Sequence, residues 1–461
     1  MPDRHVLVLA AGKGTRMRTT RPKVLHRLAG HTLIEHVLHA AGPLAPASTT
    51  IVVGHQGDKV RHLVSSFAPS ACFVHQQPQL GTAHAILQAE PVLAGKTGTL
   101  VVLSGDAPLI NSQTLLNLVT THESSTAAAT VLTARLDRPY GYGRIIRRKQ
   151  QLLAVIEEID ATTEQRTIKE VNSGIYAFDL RLLLDALPKV PDAGPKHERY
   201  LPAVLELLRR QQLTVSSVIT DEAHEIRGIN SQSELAEVSA IVRQRKYEEL
   251  MAAGVTIEDP ATTYIDSDVQ VGTDTVIHPG VFLEGRTTVG ARCELHSGVR
   301  IVNSTIGDDV TVNNYSVITD SAVNERALVG PFAHIRPDST VGIGAKVGNF
   351  VELKKAYLAT GAKANHLSYI GDATVGVDSN IGAGTITCNY DGVQKHETNI
   401  EANVFIGSGT ELVAPVTIGQ GAYVAAGSCV TDDVPPGALA LARGRQVNKE
   451  NRAPKVKKKA D

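Results

Sequence analysis

Tryptophan is absent from this 461-residue chain, and aromatics amount to only 4%. Its cores must therefore be filled by small aliphatics. Cysteine is scarce: Cys72, Cys293, Cys388 and Cys429 lie far apart with no C-x-x-C pair. That spacing excludes a disulfide framework and a cysteine zinc site, and fits reduced thiols in a cytoplasmic setting. No apolar run approaches the ~18 residues of a membrane span. Met1–Leu9 carries Asp3, Arg4 and His5 ahead of a short strand, so neither membrane insertion nor secretion is expected. An excess of one charge is missing too. Lys and Arg number 46 against 47 Asp and Glu, a net of −1, which argues against a generally polyanion-binding surface and a nucleic-acid partner. Apolar residues at 42% and charged residues at 20% suit packed domains. The length is about three times a common domain size of ~150 residues, so two or more domains are expected.

Glycine and charge are unevenly spread. Residues 1–252 hold 15 Gly, whereas the 184 residues 253–436 hold 22. Residues 437–461 carry eight basic and two acidic side chains, a tail of +6. The expected organisation is a first domain over 1–230, a linker helix over 231–252, a second domain over 253–436 and a basic tail over 437–461. Lys455–Lys459 reads as a solvated end rather than a nucleic-acid patch. In the linker, Leu235, Val238, Ile241, Val242 and Leu250 recur at roughly helical spacing among charges.

The first half alternates strand and helix. Val6–Leu9, Ile51–Val53, Cys72–Val74 and Leu100–Leu103 are apolar runs separated by helical patterns, one of them starting near Thr32 and ending at Gly42. Repeated β-α-β units predict a mostly parallel sheet covered on both faces, with ligands beyond the carboxyl ends of its strands. Two motifs fall there: Leu9-Ala-Ala-Gly-Lys-Gly-Thr-Arg16 and Ser104-Gly-Asp106. The glycine loop is not a Walker A motif, and Met17 stands where a dinucleotide fingerprint needs its third glycine. A tight turn with bare N–H groups remains, followed by Arg16 and Lys23. Such a turn either cradles a triphosphate or is simply a turn. Asp106 is either a metal ligand or a cap for the segment that follows.

The wider pattern is more specific. L-A-A-G-x-G-T-R-M followed by P-K, then Gln76-x-x-Gln79-Leu-Gly81-Thr82, Gly105-Asp106, Gly141-Tyr-Gly-Arg144, Glu157, Asn172-Ser-Gly174 and Gly228-Ile-Asn230 resembles the sugar-1-phosphate nucleotidyltransferases over residues 5–230. The resemblance implies a Rossmann-like domain in which a sugar-1-phosphate oxygen attacks the α-phosphorus of UTP. Leu9, Ala10, Ala11, Gly12, Lys23, Gln76, Gln79, Gly81, Thr82, Ser104 and Gly105 would hold the nucleotide, and Gly141, Glu157 and Asn172 the sugar. Arg16 and Lys23 would screen the phosphates, while Asp106 and Asn230 offer hard oxygens for Mg²⁺. Ser104 stands where related uridylyltransferases often carry Tyr, which alters one pocket contact.

The second half repeats every six residues. Ile265, Val271, Ile277, Leu283, Val289, Leu295 and Ile301 recur without a slip. After one-residue phase shifts come Ile306, Val312 and Ile318, then Val323, Val329, Ile335, Val341, Val347 and Leu353. Ile400, Ile406, Leu412, Ile418, Val424 and Val430 close the series. Neither an α-helix nor a lone strand can place a six-residue period on one face. A triangular coil can, with three hexads per 18-residue turn, aliphatics inward and left-handed-tolerant residues at the corners. The span corresponds to about ten turns, a prism ~48 Å long at the usual strand spacing.

A scaffold of this kind takes its chemistry from where the repeat breaks. Residues 380–400 interrupt the aliphatic series, and polar groups gather nearby. His334-Ile-Arg336-Pro, Gly348-Asn-Phe-Val-Glu-Leu-Lys354-Lys, His366-Leu-Ser-Tyr369 and Asn380 through Asn389-Tyr-Asp-Gly392 resemble the acetyltransferase half of the bifunctional family joining N-acetylglucosamine-1-phosphate uridyltransferase and glucosamine-1-phosphate acetyltransferase. That resemblance implies a left-handed parallel β-helix, assembly as a homotrimer, and acetyl transfer from acetyl-CoA to glucosamine-1-phosphate. His366 would be the general base. Arg336, Lys354, Tyr369 and Asn380 would hold the sugar phosphate; Ala383, Asn389, Tyr390, Ser408, Ala426 and Arg443 would hold acetyl-CoA. Cys388, with no histidine paired to it in sequence, is not expected to act as a nucleophile. Two other readings share the domain plan: a lone nucleotidyltransferase on a structural β-helix, and a non-catalytic assembly subunit. Arg16, Lys23 and Asp106 weigh against the second of these, and His366 with the 380–392 break against the first.

Overall fold

A computed structural model describes residues 2–149, 151–193 and 197–452; Lys455–Lys459 lie outside the described residues. The chain divides into two compact units, Met1–Val242 and Arg243–Asp461.

The first unit is organised by a sheet of nine strands among the described residues. They are β1 (Arg4–Ala10), β2 (Ser48–Val53), β3 (Cys72–His75), β4 (Thr99–Ser104), β5 (Ala129–Arg135), β6 (Arg144–Arg148), β7 (Gln151–Ile156), β8 (Glu170–Asp179) and β9 (Val215–Ile219). Their order is β9-β5-β8-β4-β1-β2-β3, with the β6–β7 hairpin attached to β8. β3, β2, β1 and β4 pair in parallel, whereas β8 runs antiparallel between β4 and β5. The expected mostly parallel sheet is thus interrupted at its centre by one reversed strand. Side chains alternate between two cores. Leu7, Val52, Leu100, Val102, Val131 and Phe178 enter one; Val6, Val8, Ile51, Val53, Val101 and Leu103 enter the other. Both faces are therefore covered, as parallel βαβ units require. After β1 the chain steps first toward β2 and later to β4 on the opposite side of β1. That reversal opens a crevice beyond the carboxyl ends of β1 and β4.

Helix Leu33–Ala41 starts on a capping box, Thr32 with Glu35. It stops as an α-helix at Gly42, which keeps right-handed φ and leads into a 3-10 turn through Pro43. The helix Gln232–Ala252 is not a plain spacer. Leu235, Val238, Ile241 and Val242 close a small core with Met17, Leu28, Leu33, Leu109 and Ile229. The division between units falls inside this helix.

The second unit is a parallel β-helix. One sheet stacks eleven short strands from Thr256–Ile257 to Leu439–Ala440, which gives ten successive steps, and the remaining strands line the other faces. The hexad aliphatics point inward: Ile277, Leu283, Leu295, Ile301, Val312, Val329, Val347, Leu353, Ile406 and Leu412 are all fully buried. Equivalent residues pair at offsets of eighteen (Ile265 with Leu283) or seventeen (Val289 with Ile306). Left-handed corners are carried by Asp274, Asp309, Asp338, Asp378 and other residues with positive φ. The coil also continues where the aliphatic series fades. Val341 pairs with Leu358, Val347 with Ala364, Leu353 with Ile370 and Ala364 with Ile381. Strands Asn380–Ile381 and Ile386–Cys388 remain in register. The break is therefore narrower than 380–400: an excursion after Cys388 that widens the offset across that turn to twenty-five, as in Val375 with Ile400, Ile381 with Ile406 and Thr387 with Leu412.

Candidate active sites

Two adjoining cavities of about 420 and 520 Å³ occupy the crevice of the first unit and share Ser104 and Asp106. The larger is lined by Leu9, Ala10, Ala11, Gly12, Lys23, Gln76, Gln79, Gly81 and Thr82, all of them nucleotide candidates. Arg16, Gly141 and Asn230 line the smaller one. Met17 anchors the glycine loop from below, 1% exposed in the Leu28–Val238 core. The third-glycine position thus serves as a hydrophobic peg. Close packing elsewhere leaves no room for side chains. A Cβ on Gly54 would stand 2.7 Å from both Ala11 O and Gln79 Nε2, and one on Gly81, already at φ +92°, 2.5 Å from Arg199 O. Gln79 donates to Ala11 O and Gln76 to Gly81 O at 2.9 Å, so both glutamines fix the loops around the cavity.

Asp106, Asn230 and Lys23 converge. The Lys23 ammonium pairs with the Asp106 carboxylate and donates to Asn230 Oδ1 at 2.8 Å. Backbone bonds hold this register: Ile229 N donates to Asp106 O, and Gly105 N to Leu9 O. Asn230 N in turn donates to Glu234 at the start of the long helix. A cation thus already fills the point at which the Asp106 and Asn230 oxygens meet. The hard carboxylate and amide oxygens at that point fit Mg²⁺.

On the sugar side, a Cβ on Gly143 would lie 3.5 Å from both Asn172 Cβ and Glu157 Oε1, so these two candidates are neighbours. Burial, then the Asp160 charge, pushes the Glu157 carboxyl above its ordinary value. Asn172 donates to Tyr176 Oη at 2.7 Å and accepts from Gly174 N. Arg144 is buried and pairs with Glu158 at 2.7 Å. Sequence reasoning did not find Glu198 and Tyr200, which line the larger cavity, or Arg138, Tyr142 and Arg227, which line the smaller. They arrive from loops whose closure depends on the tertiary fold.

In the second unit the candidates form two groups. His366 Nδ1 lies 2.6 Å from Asn349 Oδ1, its equivalent one turn earlier. The same position on later turns is held by Ala383, Ser408 and Ala426, as the pairings Ala364–Ile381, Ile381–Ile406 and Ile406–Val424 place them. Gly409 N donates to Ala383 O and Gly427 N to Ser408 O. Arg443 reaches back to Ala426 O at 2.7 Å. The imidazole thus heads a column of small residues. Asn380 lies in the strand just before this column.

The other group lies at the next corner of the coil. Lys354 Nζ meets Asp372 Oδ2 at 2.8 Å, and the Asn389 amide donates to the same oxygen. Burial alone would raise the Asp372 carboxyl, but the Lys354 and Asn389 bonds hold it below its usual range. Arg336 pairs with Glu352 at 2.8 Å, and Tyr369 sits one turn beyond Glu352. Tyr390 is exposed on the excursion and donates to Gly392 O. His366 precedes the corner at Leu367, whereas Lys354 and Asp372 stand at the next corner. There Lys355 and Asp372 take positive φ within the strands Glu352–Leu358 and Tyr369–Val375, and Asn389 follows the strand Ile386–Cys388. One chain therefore does not gather the two groups at a single point. Burial, then Glu411 and Cys429, pushes the Cys388 thiol up, against a thiolate role. Asn349 and Asp372 were missed in sequence; the seventeen-residue offset from His366 is the signal for the first.

Comparisons with known proteins agree with both halves. Residues 6–174 match the MobA-like NTP transferase domain, and residues 397–432 the bacterial transferase hexapeptide (six repeats). Relatives named "Bifunctional protein GlmU" align over nearly the whole chain. That of Shouchella clausii is 47% identical over 98% of this chain and 99% of its own length, and that of Heliobacterium modesticaldum 48% over 98% of each. The Pelobacter propionicus protein is 43% identical over 100% of both. The chain belongs to the GlmU family of bifunctional transferases, pairing uridylyl transfer with acetyl transfer in one polypeptide.

Proposed function

We propose that residues 1–230 carry uridylyl transfer from UTP to N-acetylglucosamine-1-phosphate, and residues 253–436 acetyl transfer from acetyl-CoA to glucosamine-1-phosphate. In this division 231–252 is the intervening helix and 437–461 a basic tail. The convergence of Lys23, Asp106 and Asn230 beneath the glycine loop is the observation that carries the first assignment.

In uridylyl transfer a phosphate oxygen of the sugar attacks the α-phosphorus of UTP, a new P–O bond forms, and pyrophosphate leaves. No covalent enzyme intermediate is needed, so the protein works by positioning and charge neutralisation. Loop N–H groups with Arg16 and Lys23 hold the phosphates; Gln76, Gly81 and Thr82 take the base, and Gly141, Glu157 and Asn172 the sugar. Asp106 and Asn230 would hold Mg²⁺, which when bound supplies Lewis-acid neutralisation at the phosphates.

In acetyl transfer the substrate ammonium gives a proton to His366 Nε2, the freed amine attacks the thioester carbon, and the C–S bond breaks. The attacking nitrogen then gives up a second proton, which the departing sulfur takes as it leaves as CoA thiol, and His366 releases the first proton to solvent. Asn349 holds the other ring nitrogen. The Ala383–Ser408–Ala426 column leaves an open strip for acetyl-CoA, with Arg443, Asn389 and Tyr390 beside it. Lys354 and Arg336 take the sugar phosphate, with Tyr369 and Asn380 placing the sugar. The separation of His366 from Lys354 in one chain supports a site completed between subunits of a homotrimer. Stacked, exposed Tyr315, Phe332 and Phe350 on successive corners offer apolar surface for that assembly. Four free, scattered cysteines fit a cytoplasmic enzyme, and among the described residues no helix is long and apolar enough to cross a membrane.

The deciding experiment gives the protein glucosamine-1-phosphate, acetyl-CoA, UTP and Mg²⁺, reading thiol and pyrophosphate separately. Thiol release that survives omission of UTP supports two independent sites. Pyrophosphate from N-acetylglucosamine-1-phosphate with no thiol signal would reduce the β-helix to a scaffold.

A further inference from the structure

A third group of reactive side chains lies on the β-helix well before the acetyl-transfer residues in sequence. Ile257, Ile277 and Leu295 pair across three successive turns, so the residues after them, Glu258, His278 and His296, share one column. Glu294 flanks it on the third turn. Glu258 Oε2 lies 3.0 Å from His278 Nδ1. Glu294 Oε1 lies between the two imidazoles, 3.3 Å from His278 Nε2 and 3.7 Å from His296 Nε2. The rings are near-parallel, with centroids 4.7 Å apart. One ligand atom from each of His278, Glu294 and His296 falls within 4.8 Å of the others. None of these residues is assigned to either proposed reaction.

We propose that His278, His296 and Glu294 form a binding site for a zinc-class divalent transition metal, with Glu258 orienting His278 from behind. Around a tetrahedral ion with ~2.0–2.1 Å bonds, neighbouring ligand atoms stand about 3.3 Å apart. The Glu294–His278 separation already has that value, and the Glu294–His296 separation needs a small closure. Two imidazoles and one carboxylate favour zinc-class ions over magnesium or calcium, which take oxygen ligands. The contact from Glu258 to His278 Nδ1 leaves Nε2 free for the ion, the usual arrangement behind a metal-bound imidazole. A bound ion would tie together the second and third turns of this column. The first turn's strand, Thr256–Ile257, has a pairing partner on one side only, so this end of the coil has the most to gain from a clip.

The test uses the full chain freed of metal by chelation, in excess Mg²⁺ to saturate hard-oxygen sites, and titrated with Co²⁺. One equivalent should give the intense visible absorption of four-coordinate Co²⁺, and Zn²⁺ should bleach it. The double variant His278→Gln/His296→Gln should lose that band while keeping acetyl transfer. Glu258→Gln should weaken binding about 10- to 100-fold. In the unaltered chain, Zn²⁺ should also protect His278 and His296 from diethyl pyrocarbonate, read by peptide mass spectrometry, which needs no variant to fold. A band that persists in the double variant, or Zn²⁺ that leaves both histidines as reactive as before, would overturn the proposal.

Discussion

Replacing Asn349 by Ala tests whether His366 works as an oriented base. The 2.6 Å contact puts the amide oxygen against Nδ1, which keeps the proton there and turns the Nε2 lone pair outward. A hydrogen bond of this kind contributes roughly 0.5–1.5 kcal/mol. This one is solvent-facing, so the lower part of that range applies, and acetyl transfer should slow about two- to tenfold. His366→Ala removes the proposed base itself and should cost roughly 10²–10⁴-fold. A lost packing contact could mimic a small rate loss, so the informative variant is Asn349→Asp. Its carboxylate favours imidazolium, and the acid limb of the acetyl-transfer kcat/KM profile should move to higher pH. The assay follows thiol release from acetyl-CoA across pH, with pyrophosphate release as the internal control. If Asn349→Ala leaves acetyl transfer intact, or if Asn349→Asp does not move the acid limb, the orienting role is wrong.

Asp106→Ala should abolish pyrophosphate release and spare thiol release, and His366→Ala the reverse; EDTA should mimic Asp106→Ala, with the two products read separately. Gly81→Ala forces a Cβ to within 2.5 Å of Arg199 O at φ +92°, so uridylyl transfer should fall sharply and thermal unfolding of the first unit should come earlier. Met17→Ala empties a fully buried site and should cost about 2–5 kcal/mol of stability, measured by urea unfolding. Asp372 sits below its usual carboxylate range, so the folded state binds its proton later than the unfolded chain does. Its contribution is present above the unfolded value and is lost as pH falls through the folded one. Asp372→Asn should therefore flatten the acid loss of stability of the second unit, followed by circular dichroism between about pH 5 and 2.

Much of this architecture was legible because each unit imposes one geometric rule on its chain. A six-residue period has no solution other than a three-sided coil, and Ile277, Leu295 and Val312 stack as that rule demands. The crevice motifs were legible for a similar reason, since a Cβ on Gly14 would meet Lys23 Cβ at 2.8 Å and one on Gly81 Arg199 O at 2.5 Å. The reversed strand β8 was not, because its pairing is chosen by β4 and β5, and its Asn172-Ser-Gly174 segment is bulged against β5. Nor did the long helix declare that Val238 would close a core over Met17, about two hundred residues earlier in the chain.

The stretch after Leu353 is the instructive case. Its inward positions, Leu358, Ala364, Ile370, Val375, Ile381 and Thr387, run at spacings of five and six. Alanine and threonine weaken the aliphatic signal, and each five-residue step breaks the phase, so the eye reads a gap where the coil is unbroken. A turn holding one such step has an offset of seventeen, and the offset of each turn decides which polar residues meet. A residue a fixed number of places beyond an inward position must face the residue the same number of places beyond the inward position one turn away. Val347 and Ala364 therefore put Asn349 against His366, and Ile257, Ile277 and Leu295 align Glu258, His278 and His296. The same rule that makes the scaffold monotonous makes its polar side chains meet in columns, so the pairing of His366 with Asn349 and the column of Glu258, His278 and His296 both follow from turn length once it is known.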